Sequence, residues 1–156
     1  MHIELKKICV CTDFSEPALR AFDYGLTFAK NFKAEIHLLH VIEDIIPTVP
    51  EPGISLLPTQ EIMTGLRQGS TEAMAKLLKS RDISGLTIKE VIREGVPFRE
   101  VEVYAKDQEI DLVIVGTHGR TGLTHLLLGS VAERVVRSAP CPVLTVHSHE
   151  REFVKD

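Results

Sequence analysis

The most constraining feature of this sequence is a regular alternation of short apolar runs with longer amphipathic segments. The short runs are rich in valine, isoleucine and leucine, as buried strands are, whereas the longer segments repeat apolar residues at the spacing of one helix face. The series begins with a strand. Strands that alternate with helices predict a parallel sheet that is covered on both faces. We therefore expect an α/β fold with a doubly wound, five-stranded parallel sheet.

This alternation predicts the approximate bounds of each element. The five strands are expected at residues 7–12, 34–42, 86–93, 111–116 and 142–147. The helices are expected at residues 15–32, 59–80 and 129–138, with one of about ten residues from Pro97 onward. Prolines between residues 43 and 58 predict an irregular surface loop. We expect residues 1–147 to form a single domain and residues 148–156 to form a polar C-terminal tail.

The first helix has a well-marked start and a continuous apolar face. Asp13 or Ser15 is predicted to cap it, and Pro17 suits its first turn, where a backbone N–H has no partner within the helix. The residues expected to face the core are Ala18, Ala21, Phe22, Gly25, Leu26, Ala29 and Phe32.

Composition narrows the class of protein. A chain of 156 residues with 44% hydrophobic and 26% charged residues fits one globular domain. The net charge of −4 argues against a nucleic-acid partner, and the apolar runs are far shorter than the roughly 20 residues of a membrane span. Cys9, Cys11 and Cys141 are expected to be reduced thiols. With no recognisable signal peptide, we expect a cytoplasmic protein without a membrane partner.

The segment after the fourth strand carries the clearest signal for chemistry. Gly116 and Gly119 follow the strand, and Gly129 and Ser130 stand at the predicted start of the fourth helix. Free N–H groups at Gly129, Ser130 and Val131, together with the helix dipole, would form an anion site that suits phosphates. The two loop glycines are expected to allow positive φ and close approach of a phosphate or ribose.

Neighbouring residues are compatible with an anion site here, but they do not exclude a purely structural role for the segment. His118 and Arg120 could supply donors or charge, and Ser130 with Glu133 has the spacing of a capping box. Turn glycines and an ordinary helix cap remain an alternative interpretation. The segment has neither the lysine of a Walker P-loop nor the dinucleotide-binding fingerprint.

The glycine spacing Gly116-x2-Gly119-x9-Gly129-Ser130 resembles that of the ATP-binding branch of the universal stress protein family. The opening strand and loop at residues 7–16 are similar to that family as well, and so are short motifs around Leu38, at residues 94–97 and at residues 141–146. The resemblance covers residues 3–146.

This resemblance implies a sheet order of 3-2-1-4-5 and the adenine-nucleotide alpha-hydrolase-like fold, with the switch in direction between strands one and four. It places Thr12 and Asp13 near the ribose or phosphates. Val41 would contact adenine through its main chain, beside a wall of Val115 and Gly116. The implied phosphate-binding residues are Gly119, Gly129, Ser130 and Val131. The resemblance also implies a homodimer through an exposed apolar fifth strand of Val143, Leu144 and Val146.

Three hypotheses about function follow. The first is a regulatory stress-response module whose occupancy by ATP, ADP or AMP is read by a partner, since no catalytic set is recognisable. The second is a slow ATPase in which Mg²⁺ bound at Asp13, assisted by Arg120, aids phosphoryl transfer. The third is a nucleotide-free dimer that acts by protein contact alone. His37 and His40 lie on opposite faces of the second strand and are not expected to share a metal ion.

Overall fold

A computed structural model of the chain describes residues 3–43, 60–117 and 130–147. These residues form strands and helices in alternation, as the sequence pattern predicts. The elements are β1 Lys7–Cys11, α1 Glu16–Phe32, β2 Glu35–Glu43, α2 Gln60–Lys79, β3 Ile88–Gly95, α3 Pro97–Asp107, β4 Leu112–Gly116, α4 Ser130–Ser138 and β5 Val143–Val146. The predicted proline-rich loop and the polar tail lie outside the described residues.

The strands form one parallel sheet in the order β3-β2-β1-β4-β5. The order that the family resemblance implies is therefore confirmed. β1 is central, because it pairs with β2 on one side and with β4 on the other. β3 ends two residues later than predicted, since it continues to pair with β2 as far as Gly95 opposite Glu43.

Each face of the sheet buries its own core. The first core packs α1 and α2 on the sheet and includes Ile8, Val10, Phe22 and Met74. The second packs α3 and α4 on the other face and includes Cys9, Leu39, Val101, Val113 and Val135. Ile8 and Val10 lie in one core and Cys9 in the other because successive strand residues point to opposite faces. The three cysteines are free thiols, as expected.

The apolar face of α1 is confirmed except at its end. The buried residues are Pro17, Ala18, Ala21, Phe22, Tyr24, Gly25, Leu26 and Ala29. Phe32 was expected to face the core but is 37% exposed, because the helix ends there and Lys33 turns the chain at φ 57°. A Cβ at Gly25 would lie 2.5 Å from Val10 Cγ2, so this glycine allows α1 to approach β1 closely.

β5 forms one edge of the sheet, but it is not the exposed apolar strand that was predicted. Val146 is 2% exposed and belongs to the first core. Leu144 packs against the same core, and Val143 packs against the second. The side chains of this strand are therefore used within the protein. None of the helices in the described part of the chain is long and apolar enough to cross a membrane.

Candidate functional site

A cavity of about 630 Å³ opens at the carboxyl ends of β1, β2 and β4. This is the position at which doubly wound sheets bind ligands, because the chain leaves β1 and β4 toward opposite faces. The predicted site residues that line it are Thr12, Asp13, Val41, Val115, Gly116, Ser130 and Val131. His118, Gly119, Arg120 and Gly129 lie outside the described residues. The structure thus brings together the candidates contributed by four separate elements.

The loop between β1 and α1 is shaped by the side chains of Thr12 and Asp13. The Phe14 N–H donates to Thr12 Oγ1 at 3.0 Å, and the Ser15 N–H donates to Asp13 Oδ1 at 3.0 Å. Such short polar side chains favour turns because they accept from backbone groups two residues ahead. Phe14 takes a positive φ of 64° within this turn.

The predicted cap of α1 is only partly correct. Ser15 occupies the N-cap position, but its side chain makes no capping hydrogen bond. Its hydroxyl donates to Asp13 Oδ1 instead. The two candidate cap residues therefore bind each other and fix the loop in front of the helix. Pro17 lies in the first turn, as predicted.

Gly116 lies at the cavity, but the positive φ predicted for it is not found. It is not among the described glycines with positive φ, which are Gly85 and Gly95. A Cβ at Gly116 would lie 2.9 Å from the carbonyl carbon of Pro17. The glycine is therefore required by the close packing of β4 against the start of α1.

The start of α4 also borders the cavity, through Ser130, Val131 and Ala132. The capping box predicted for Ser130 and Glu133 is not formed. Ser130 already lies within the helix, and the Glu133 carboxylate pairs with Arg137 one turn later, at 3.0 Å. The partial positive charge at this end of a helix favours an anion in the adjoining cavity.

One wall of the cavity was not anticipated from the sequence. It is the middle of α2, which contributes Gly65, Leu66, Gly69, Ser70 and Ala73. At Gly65 and Gly69, no atom of the described residues, apart from the backbone of α2 itself, lies within 4 Å of the position that a Cβ would take. The glycines could have been noticed as helix-weakening residues inside a helical pattern, but nothing local indicates what they face.

His40 is a second residue that the sequence analysis did not place in the site. It lines the cavity and is 7% exposed. Its Nδ1 donates to the Thr12 carbonyl oxygen at 2.8 Å, and its ring packs on Phe14 with centroids 4.6 Å apart. His37, three residues earlier, bonds to the Tyr104 hydroxyl at 2.7 Å in the other core. The prediction that the two histidines lie on opposite faces is confirmed.

The cavity combines an apolar floor with a polar rim. Leu39, Val41 and Val101 supply apolar surface from the second face of the sheet, and Thr12, Asp13 and Ser130 supply polar groups. Pockets with this division bind small molecules that have an apolar ring and a polar part. Among the residues that the structure describes, no three histidine, cysteine or acidic side chains are grouped to hold a metal ion.

The two cysteines of β1 differ in their access to the cavity: Cys11 lines it, whereas Cys9 is buried in the second core. The hydrogen bond between Cys9 and Cys11, together with burial, raises the pKa of Cys9 well above its usual value. Cys9 is therefore a protonated core residue at neutral pH. It is not a nucleophile for the site.

The fold and the cavity define a doubly wound α/β protein with a ligand crevice at the switch between β1 and β4. The family model for universal stress proteins matches residues 4–147. Universal stress protein MJ0531 of Methanocaldococcus jannaschii is 38% identical over 148 residues, which are 94% of this chain and 85% of that protein. Universal stress protein MJ0577 of the same organism is 35% identical and covers 94% of this chain and 97% of its own length. The chain belongs to the universal stress protein family.

Solved structures agree with this assignment. The MJ0577 structure matches with a TM-score of 0.77 at 34% identity, covering 96% of this chain and 100% of that one. Universal stress protein UspA from Lactobacillus plantarum matches with a TM-score of 0.77 at 25% identity, over 93% and 99% of the two chains. A universal stress protein in complex with cAMP matches with a TM-score of 0.59 at 27% identity, over 94% and 100%. The adenine-nucleotide alpha-hydrolase-like fold is thus shared.

Proposed function

We propose that this chain belongs to the ATP-binding branch of its family and binds an adenine nucleotide, ATP, ADP or AMP, in the cavity between β1 and β4. The observation that carries the proposal is that every predicted site residue within the described part of the chain lines this one cavity. Independent support comes from the related universal stress protein that was solved in complex with cAMP.

The chemistry of the cavity divides in the way that a nucleotide does. The adenine is proposed to lie on the apolar surface near Val41 and Val115, and the ribose near Thr12 and Asp13. The phosphates are proposed to lie at the start of α4, where Ser130 offers a hydroxyl and an N–H. The sequence motif adds Gly119, Gly129, His118 and Arg120 to this phosphate-binding group. Mg²⁺ would accompany a triphosphate.

The proposed role is regulatory. Nucleotide occupancy is proposed to alter the loops around the cavity in a cytoplasmic homodimer that pairs along β5, and a partner protein reads that state during stress. Because the β5 side chains are largely used within the protein, pairing would depend on its backbone groups at the sheet edge. Analytical ultracentrifugation tests the assembly, and a monomer at all concentrations would contradict it.

The first experiment is mass spectrometry of the purified protein under native conditions, followed by calorimetric titration with ATP, ADP and AMP in the presence of Mg²⁺. We expect a co-purifying nucleotide or a micromolar dissociation constant, which corresponds to about −8 kcal/mol. The Gly119→Val variant should weaken ATP binding at least about 100-fold, since a branched side chain would occupy the space that phosphate needs. Gly122→Val is the matched control, since Gly122 stands in the same segment but outside the family spacing.

The outcomes separate the three functions. Binding that Gly119→Val abolishes and Gly122→Val retains supports nucleotide recognition by this motif. Phosphate release above a protein-free blank that disappears in Asp13→Ala supports the slow ATPase. If the folded wild-type protein gives no heat with any of the three nucleotides, the proposal is wrong and the nucleotide-free dimer gains support.

A further inference from the structure

The loop that follows β1, Thr12 to Ser15, is stabilised in part by hydrogen bonds between its own residues. The Phe14 N–H bonds to Thr12 Oγ1, and the Ser15 N–H bonds to Asp13 Oδ1, each across two residues. Phe14 has the left-handed φ of 64°, which a bulky residue adopts only where its surroundings require it. These local hydrogen bonds define a turn. They do not fix where the turn lies relative to the sheet.

Contacts with β2 supply that placement. The Thr12 N–H donates to the Leu39 carbonyl at 2.9 Å and continues the sheet ladder by one residue. His40 then makes two contacts with the loop: Nδ1–H donates to the Thr12 carbonyl at 2.8 Å, and the ring packs on Phe14. The bond to Thr12 is nearly free of solvent, because His40 is 7% exposed and Thr12 is 4% exposed.

Imidazole suits this place for a chemical reason. The Thr12 carbonyl oxygen can only accept, so Nδ1 of His40 must carry the proton. The donor is present both in the neutral Nδ1–H tautomer and in the imidazolium ion. The flat imidazole ring also packs on Phe14. An aliphatic side chain of equal volume could pack there as well, but it has no hydrogen-bond donor.

We infer that His40 is a positioning residue for the cavity: it holds the Thr12–Ser15 loop against β2, so that Thr12 and Asp13 face the bound ligand. The expected effect on nucleotide affinity rests on the proposed function, whereas the placement of the loop by His40 is independent of it. His40 itself need not touch the nucleotide.

The test compares His40→Leu, which keeps the volume and removes the donor, with His40→Asn, whose side-chain amide can replace Nδ1–H. His37→Leu is the matched control, because His37 is a buried histidine of the same strand on the opposite face. Two quantities are measured: amide hydrogen exchange of Phe14 and Ser15 by nuclear magnetic resonance, and the dissociation constant for ATP by calorimetry. Circular dichroism verifies that each variant is folded.

We expect exchange at Phe14 and Ser15 to be at least about tenfold faster in His40→Leu, and ATP to bind at least about tenfold more weakly. His40→Asn should recover most of both losses, and His37→Leu should change neither. If His40→Leu is folded and exchanges at the wild-type rate, the inference is wrong whatever the affinities are. If exchange responds as expected but wild-type protein binds no nucleotide, the loop assignment stands and the proposed function fails. Equal losses in His40→Leu and His37→Leu would show a general loss of stability and would also overturn the inference.

Discussion

The two ends of the parallel sheet are built in contrasting ways. At the amino end, direct bonds join β1 to the residue before β4: Asp111 Oδ2 accepts from the Lys6 and Lys7 N–H groups at 2.8 and 2.9 Å. Lys7 Nζ also donates to the Gln108 carbonyl at 2.8 Å. At the carboxyl end lies the cavity of about 630 Å³, bordered by strand ends, a tight loop and the starts of helices.

This difference follows from the topology. At the carboxyl ends, β1 and β4 lead to opposite faces, so the connections diverge and leave room for a ligand. At the amino end, a carboxylate after α3 can bridge to the start of β1, which pairs with β4. The bonds that Asp111 makes are therefore far from the cavity, and their loss should affect unfolding without affecting ligand affinity.

The largest effect on stability is expected at Gly116, where β4 packs closely against the start of α1. Gly116→Val would place a side chain 2.9 Å from the Pro17 backbone, so it should lower the free energy of unfolding by about 3 kcal/mol. Gly69→Ala is the control on the α2 wall of the cavity, where a Cβ would contact none of the described residues outside the helix backbone; it should raise stability by up to about 1 kcal/mol. Urea denaturation measures both. A neutral Gly116→Val would show that β4 and α1 are not in tight contact.

At the amino end, Asp111→Ala should cost about 1 to 2 kcal/mol of unfolding free energy, since it removes the acceptor of two backbone N–H groups. Its affinity for nucleotide should stay within about twofold of the wild-type value, because the bond is at the far end of the sheet. Asp107→Ala, at an exposed position at the end of α3, is the control and should change stability by less than about 0.5 kcal/mol. A comparable loss of affinity and stability in Asp111→Ala would contradict the separation of the two ends.

The third prediction concerns pH and the amino half of β2. Burial lowers the pKa of His37 from 6.5, although Glu35, at 3.4 Å, opposes this shift. The folded protein therefore favours the neutral imidazole of His37. The resulting contribution of His37 to the free energy of unfolding is complete above about pH 6.5. It is lost as the pH falls through the folded pKa, by at most about 1.4 kcal/mol per pH unit.

The measurement is the unfolding free energy of the wild type and of His37→Leu at several values between about pH 7.5 and 5. The wild type should lose more stability with acid than the variant does. Parallel curves for the two proteins would mean that His37 is not responsible for the pH dependence.

The smallest effect is expected for the ion pair between Arg67 of α2 and Glu94 of β3. Its side chains are 56% and 35% exposed, so a double-mutant cycle should give a coupling below about 1 kcal/mol. The pair between Arg81 and Asp23, at 31% and 33% exposure, is the more buried comparison and should couple more strongly. A larger value for Arg67 and Glu94 would mean that this pair fixes the cavity wall formed by α2.

Much of the fold could be predicted from the residues themselves. The apolar spacing that gave α1 its inward face held from Ala18 to Ala29, because periodic burial is encoded within one helix. It failed at Phe32, since where a helix leaves the core depends on the path of the following chain. The order of the strands came from the family resemblance, because several strand orders are compatible with the same alternation of elements.

Some features of the candidate site could be predicted from the sequence, and others could not. The glycine pattern after the fourth strand nominated Gly116, and the family resemblance nominated Thr12, Asp13 and Val41. Only the tertiary structure decided that Gly116 is needed for contact with Pro17. The bond between Ser15 and Asp13 and the pair of Glu133 with Arg137 are local contacts that the sequence pattern allowed but did not single out.

The tertiary structure also decided that α2 walls the cavity and that His40 holds the loop after β1. These contacts join residues that are 28 or more positions apart in the chain, such as His40 and Thr12. The periodicity of a segment determines which of its faces is buried. It carries no information about which side chain of another segment will lie against that face, because this depends on how the strands are ordered and how closely the helices pack on them.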